Sequence, residues 1–180
     1  MAGLNFVGNP YFHDISKRKN NIAPHEFILW ILSQCANLKE ARQYLNNMNL
    51  ISLPFSDEFP IAMLHWIISD HTGSVVVESM EDGLHIYDNS VGILTNNPPY
   101  PIQQFSLNPF ISLSPQNPPN NFLSALKLPP YSLGLGSFGL PGDYTSQSRF
   151  IRAAFVKANS VSSPGEINSV NQFFHIANNK

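Results

Sequence analysis

The chain has 180 residues, enough for one domain with a core of its own. Apolar residues make up 43% of it, charged residues only 12%, and the formal net charge is −2, which gives no electrostatic case for nucleic acid or an anionic membrane. No stretch approaches the roughly 18–20 apolar residues of a membrane span, and a single cysteine excludes an internal disulfide framework.

Residues 1–7 read as a short strand, stopped by Gly8-Asn9-Pro10. Its opening has neither the basic nor the apolar region of a signal peptide, so cytoplasmic residence is expected. A polar loop with the solvated triplet Lys17-Arg18-Lys19 runs to the Asn20-Asn21 turn. Ala23-Pro24 then opens a helix, with Pro24 in its first turn and Glu26 at the positive end of the dipole. Phe27, Trp30, Ile31 and Gln34 recur at helical spacing, and Ile28, Leu29 and Leu32 are apolar too. Such a helix is expected to be buried between layers. Cys35 falls towards its C-terminal end, a place for a small buried hydrophobe and not for a reactive thiolate. Asn37 can cap a second helix over residues 38–47.

Residues 52–60 form a loop with two prolines and two phenylalanines, Phe55 and Phe59. These rings suit either a binding lip or a local plug folded back on the chain. A β meander follows over residues 63–69, 74–78 and 84–88, with a fourth short strand over 91–95. Its tight turns require antiparallel neighbours, and the flanking helices make an α/β layered protein. Residues 96–135 hold most of the prolines and no clear period, apart from a possible short helix around 121–127. Thr145 or Ser146 caps a helix to about residue 159, and Ser163-Pro164-Gly165-Glu166 reads as the capping box of a last one.

Generic chemical motifs are sparse. The histidines at 13, 25, 65, 71, 85 and 175 show no zinc-binding spacing. His65, before Trp66 on a strand, reads as a hydrogen-bonded structural histidine. The G-x-G-x-x-G string at 134–139 precedes Leu140-Pro141-Gly142 and not a helix, and no βαβ unit surrounds it, so it is no dinucleotide site. Asn5 and Asn96 each end an extended segment, where a carboxamide can aim N–H donors at an oxyanion without bringing a charge. Arg149, one turn inside a helix after the bend Gly139-Leu140-Pro141-Gly142-Asp143, can steady a thiolate or a carboxylate.

Five segments then occur in order: Ala2-Gly3-Leu4-Asn5-Phe6, Leu64-His65-Trp66-Ile67-Ile68-Ser69-Asp70, Gly92-Ile93-Leu94-Thr95-Asn96-Asn97-Pro98, the bend at 139–143, and Ser148-Arg149-Phe150-Ile151-Arg152-Ala153-Ala154. Together they resemble the choloylglycine hydrolase family, the bile salt hydrolases and penicillin V acylases. The resemblance implies an N-terminal-nucleophile hydrolase with an αββα sandwich and a mainly antiparallel sheet, often a homotetramer, with no cofactor. It also implies cleavage of a linear amide, as in a glycine- or taurine-conjugated bile salt, by a cysteine at the mature N-terminus whose α-amino group is the base. By motif, Asn5 corresponds to the family's oxyanion-hole asparagine, Asn96 to its second active-site asparagine, and Arg149 to the arginine beside the sulfur. The loop up to residue 61 corresponds to a pocket-lining loop, so Phe55 and Ile61 are expected to contact an apolar steroid or phenyl group. Asn5 leans towards the bile salt hydrolases, since penicillin V acylases often carry tyrosine there.

The resemblance has a gap. Family members begin with the nucleophilic cysteine and carry an arginine and an aspartate before the segment matched by Ala2-Gly3-Leu4-Asn5, and Cys35 does not correspond to that nucleophile. The sequence ends at Asn178-Asn179-Lys180, inside what should be a helix and ahead of the family's closing strands. The expectation is a single partial domain over residues 1–180, the middle of a longer enzyme with Met1 an internal methionine. It should have an unpaired sheet edge and no hydrolytic activity by itself. A penicillin V acylase-like amidase and a non-catalytic binding or assembly piece are the alternatives.

Overall fold

The computed structural model describes residues 1–178; Asn179 and Lys180, the end of the expected closing helix, lie outside the described residues. The chain divides into two compact units, Met1–Gln103 and Gln104–Lys180.

The first unit is built on a four-stranded sheet. Strands β1 (Ala2–Asn5), β4 (Leu64–Asp70), β5 (Gly73–Met80) and β6 (Gly83–Asp88) lie in that spatial order, all antiparallel. The register sets Leu4 opposite His65, Ile67 opposite Val76 and Val77 opposite Ile86. Among the described residues β1 and β6 are the two open edges. Strand alternation sorts the faces. Trp66, Ile68, Val75 and Val77 point to one side, where α1 (Phe27–Gln34) and α2 (Leu38–Asn46) supply Phe27, Ile31, Leu38, Ala41 and Leu45. Phe27 and Trp66 meet at 4.4 Å between ring centroids, and neither is exposed. Each such side chain contributes about 1.5–3 kcal/mol by leaving water, so this layer carries the unit.

Local chemistry fixes the helix starts. Asn37 Oδ1 accepts from the Glu40 amide at 3.0 Å, the cap the sequence pointed to. Asp70, at the β4–β5 turn, accepts from the Thr72 amide (2.7 Å) and hydroxyl (2.6 Å), and also from the Leu38 amide at 2.8 Å. One carboxylate thereby ties a hairpin turn to the first turn of α2. These donors pull its pKa down to about 2.

Several expectations are corrected. Helix α1 is regular from Phe27 and not from Pro24; residues 24–26 form a turn that leads into it, in which Glu26 accepts from the Ala23 amide at 3.1 Å. It is not buried on most sides: Phe27 and Ile31 face the sheet, while Leu29 and Leu32 are 75% and 61% exposed. A parallel pair, β2 (Asn20–Ile22) with β3 (Met48–Leu50), was not foreseen, since three residues are too few to show a period. Residues 91–95 form no strand; Asn89 folds that stretch by accepting from the Gly92 amide (2.7 Å) and donating to the Ile93 carbonyl (3.0 Å).

Helix α3 (Tyr100–Phe105) follows Pro98-Pro99, and the boundary between the two units falls after its Gln103. In the second unit the helix expected around 121–127 is absent; Asn120 instead donates to the Leu123 and Leu126 carbonyls at 2.9 and 2.7 Å, holding an open turn. Helices α4 (Ser146–Asn159) and α5 (Glu166–Asn178) form where the caps indicate, with Thr145 Oγ1 accepting from the Ser148 amide at 3.3 Å. Phe150, Ile151 and Ala153 are the buried apolar side chains of α4. Among the described residues no helix is long and apolar enough to cross a membrane.

Candidate active site

Asn5 is the last residue of β1, opposite Leu64, and the ladder continues one step further through Phe6 N–H to the Met63 carbonyl at 2.8 Å. Its carboxamide is exposed and makes no hydrogen bond within the described residues. Asn96 lies far along the sequence, in the irregular segment after β6, yet its Nδ2 donates to the Asn5 main-chain oxygen at 3.0 Å. Asn97 Nδ2 donates to the Val7 carbonyl at 2.8 Å. Two adjacent carboxamides thus staple the 95–98 turn to the end of β1, and the two asparagines singled out in the sequence meet there. Asn97 was missed as a participant; its neighbourhood to Asn96 in the motif was the available signal.

Below this turn the histidine expected to be structural is indeed buried and doubly bonded. His65 Nε2 donates to the Thr95 carbonyl at 2.7 Å, and Nδ1 faces Glu78 Oε1 at 2.9 Å. Nothing in the sequence flagged Glu78 as its partner.

Phe55 and Phe59 stand 70% and 60% exposed and meet edge to face at 6.3 Å, with His25 against Phe55 at 5.4 Å. They line, with Pro60 and Ala62, an open apolar cavity of about 340 Å³. The rings stand at the surface around this cavity and are not buried against the chain. Ile61 is half-buried and is not one of the lining residues.

In the second unit Arg149 sits in the first turn of α4, half-buried, its Nε donating to the Tyr144 carbonyl at 3.3 Å. The bend ahead of it takes left-handed backbone at Gly139 (φ +96°), which suits glycine. Asp143 accepts from the Thr145 amide at 2.9 Å and the Ser148 hydroxyl at 2.6 Å, and these bonds hold its carboxyl well below the usual carboxylate range. Arg152 Nη1 donates to the Pro141 and Asp143 carbonyls at 2.8 and 2.6 Å. It clamps the loop that leads into the Arg149 turn, a role its position one turn later did not announce.

Cys35 is half-buried at the end of α1, and burial, with Glu40 nearby, pushes its thiol up from 9.0. No group of three or more His, Cys, Asp or Glu able to hold a metal exists among the described residues.

Carboxamide donors at a strand end are of the kind that can stabilise developing negative charge. A model of the linear amide C–N hydrolases, choloylglycine hydrolase family, matches residues 1–180. The chain belongs to the choloylglycine hydrolase family. It is 46% identical over 176 residues to a bile salt hydrolase/transferase of Lactiplantibacillus plantarum, which covers 98% of this chain and 54% of that protein. The crystal structure of a variant of conjugated bile acid hydrolase from Clostridium perfringens superposes with a TM-score of 0.85 at 38% identity, over 99% of this chain and 55% of that one. Penicillin V acylase from Agrobacterium tumefaciens shares the fold, with a TM-score of 0.71 at 18% identity over 97% of this chain and 47% of that one. The α/β class with its mainly antiparallel sheet, part of the αββα sandwich, is thus that of the family. The chain spans about half the length of these relatives.

Proposed function

We propose that this chain carries the oxyanion and arginine residues of a hydrolase that cleaves the amide bond of glycine- or taurine-conjugated bile salts. In this reading the carboxamides of Asn5 and Asn96 donate to the carbonyl oxygen as it gains charge in the tetrahedral intermediate. Arg149 stabilises the attacking thiolate, and Phe55 with Ile61 receives the steroid. Donors fixed in place before reaction are the efficient arrangement, since no reorganisation is needed as charge develops. The observation that carries the reading is the Asn96 Nδ2 bond to the Asn5 carbonyl, which brings together two residues that the motifs assign to one oxyanion hole.

The thiol is not Cys35, whose raised pKa and helix C-terminal position are those of an inert cysteine. The chain therefore supplies supporting residues and no nucleophile, and hydrolysis by it alone is not expected. The same reading treats residues 1–180 as one partial domain of a cytoplasmic homo-oligomer, a tetramer by the resemblance. Identity of 46% to a bile salt hydrolase/transferase favours conjugated bile salts over penicillin V.

The test is a titration of the purified chain with glycocholate, taurocholate and penicillin V, following thermal stability and release of the free amine. Stabilisation by the two bile salts, weakened in Asn96→Ala and without amine release, is the expected result. Equal indifference to all three compounds, or amine release by the chain alone, overturns the reading.

A further inference from the structure

The turn that carries Asn96 has no regular secondary structure to hold it, and what lies beneath it is polar. His65, Glu78 and Gln103 are fully buried and Thr95 is 1% exposed. Buried polar groups cost free energy unless every one is bonded, and apolar replacements of similar shape are often as stable. A cluster of this kind is best understood by what it fixes in space.

The bonds converge on one short stretch of main chain. A carbonyl oxygen only accepts, so the 2.7 Å contact between His65 Nε2 and the Thr95 carbonyl places a proton on Nε2. Glu78 Oε1 holds Nδ1 at 2.9 Å and accepts from the Tyr100 amide at 2.9 Å, which locks the ring plane to the start of α3. Gln103 grips the turn from α3. Its Oε1 accepts from the Thr95 amide (3.2 Å) and hydroxyl (3.0 Å), and its Nε2 donates to the Asn96 carbonyl (2.6 Å) and the Pro98 carbonyl (2.7 Å). On its other side the same imidazole stacks on Phe6, with centroids 4.2 Å apart and planes 8° from parallel. Phe6 directly follows Asn5. One ring therefore touches both segments that carry the asparagine pair, and one carboxamide sets the twist of the turn between them.

We propose that His65 and Gln103 are positioning residues for the Asn5–Asn96 pair, holding the Asn96 carboxamide against the Asn5 carbonyl from beneath. The proposal rests on the reading that this pair receives the substrate oxyanion, where a displacement of about 1 Å costs on the order of a hundredfold in rate.

The test follows the Asn96 side-chain NH2 resonances of the isotope-labelled full chain by NMR, with a glycocholate titration beside it. Gln103→Met keeps the length of the side chain and removes all its hydrogen bonds. Exchange of the Asn96 carboxamide hydrogens with water should rise about tenfold, and glycocholate affinity should fall by a similar factor, the scale of one lost hydrogen bond. The Leu45 and Val77 amides, in the opposite layer of the core, should keep their protection. Unchanged Asn96 exchange in a variant with an intact core overturns the proposal. If Gln103→Met does not fold, Thr95→Val decides: it removes the hydroxyl bond to Gln103, and Asn96 exchange must still rise a few-fold or the proposal fails. Absence of glycocholate binding in the unaltered chain sinks the functional reading alone, because Asn96 exchange still decides the positioning.

Discussion

Asn96 donates from Nδ2 to the main-chain oxygen of Asn5 at 3.0 Å, across 91 positions of sequence. The bond closes an irregular turn onto the edge strand of the sheet, where the ladder itself has run out. Removing it in Asn96→Ala should destabilise the first unit by about 1 kcal/mol, the net worth of an intramolecular hydrogen bond. Asn97→Ala should cost a similar amount by removing the bond to the Val7 carbonyl. Both staple one turn, so the double variant should lose less than the sum of the two. Thermal melts of the three variants check this; strict additivity would mean that the two bonds act independently.

Gly3 stands on β1 opposite Trp66, and a Cβ at Gly3 would come within 3.1 Å of the indole Cδ1 and Nε1. Trp66 is fully buried and packs against Phe27. Gly3→Ala should therefore destabilise the sheet by about 1–3 kcal/mol, the usual cost of overpacking a filled core. The near-ultraviolet circular dichroism of the buried indole should change with it. A variant as stable as the parent would show that β1 can shift outward freely.

What the sequence made legible was what repeats or punctuates. Period-two alternation located β4, β5 and β6 within a residue or two, and Asn37 and Thr145 located the starts of α2 and α4. Asn5, Asn96 and Arg149 were legible only through their surrounding motifs, since a lone asparagine at a turn carries no signal. The misses share a cause. β2 and β3 are three residues each and pair in parallel across the chain. The 91–95 segment alternates like a strand, but its polar groups are taken by Asn89 and Gln103 in place of a neighbouring strand. Glu78 ends the 74–78 segment with nothing in the sequence to mark it, yet it is fully buried against His65. Side chains that bond distant main chain leave no period to read.

The pH dependence of the first unit should show Asp70. Its folded pKa of about 2 is depressed by the Thr72 and Leu38 donors, while an unfolded aspartate titrates near 3.9. The sign follows: the unfolded chain binds the proton more readily, so Asp70 stabilises the fold fully above about pH 4 and loses that effect as pH falls towards 2. Asp70→Asn should lower the melting temperature at pH 7 and leave it almost unchanged at pH 2. Asp143, depressed by Ser148 and Thr145, should act in the same direction in the second unit. Melting curves from pH 7 to pH 2 read both; an acid limb identical in parent and Asp70→Asn excludes the Asp70 contribution.

Cys35 is the only thiol in the chain, so its reactivity bears on where the nucleophile comes from. Burial first, and Glu40 second, raise its pKa above the ordinary 9.0, which lowers its thiolate fraction at neutral pH below that of a free cysteine. It also ends α1, where the helix dipole disfavours an anion. Iodoacetamide should therefore label Cys35 at pH 7.5 several-fold more slowly than it labels free cysteine, with the rate still rising above pH 9. Cys35→Ala should leave glycocholate-induced stabilisation unchanged. Labelling faster than free cysteine, together with loss of that stabilisation in Cys35→Ala, would place the thiol in the site and make the chain its own nucleophile.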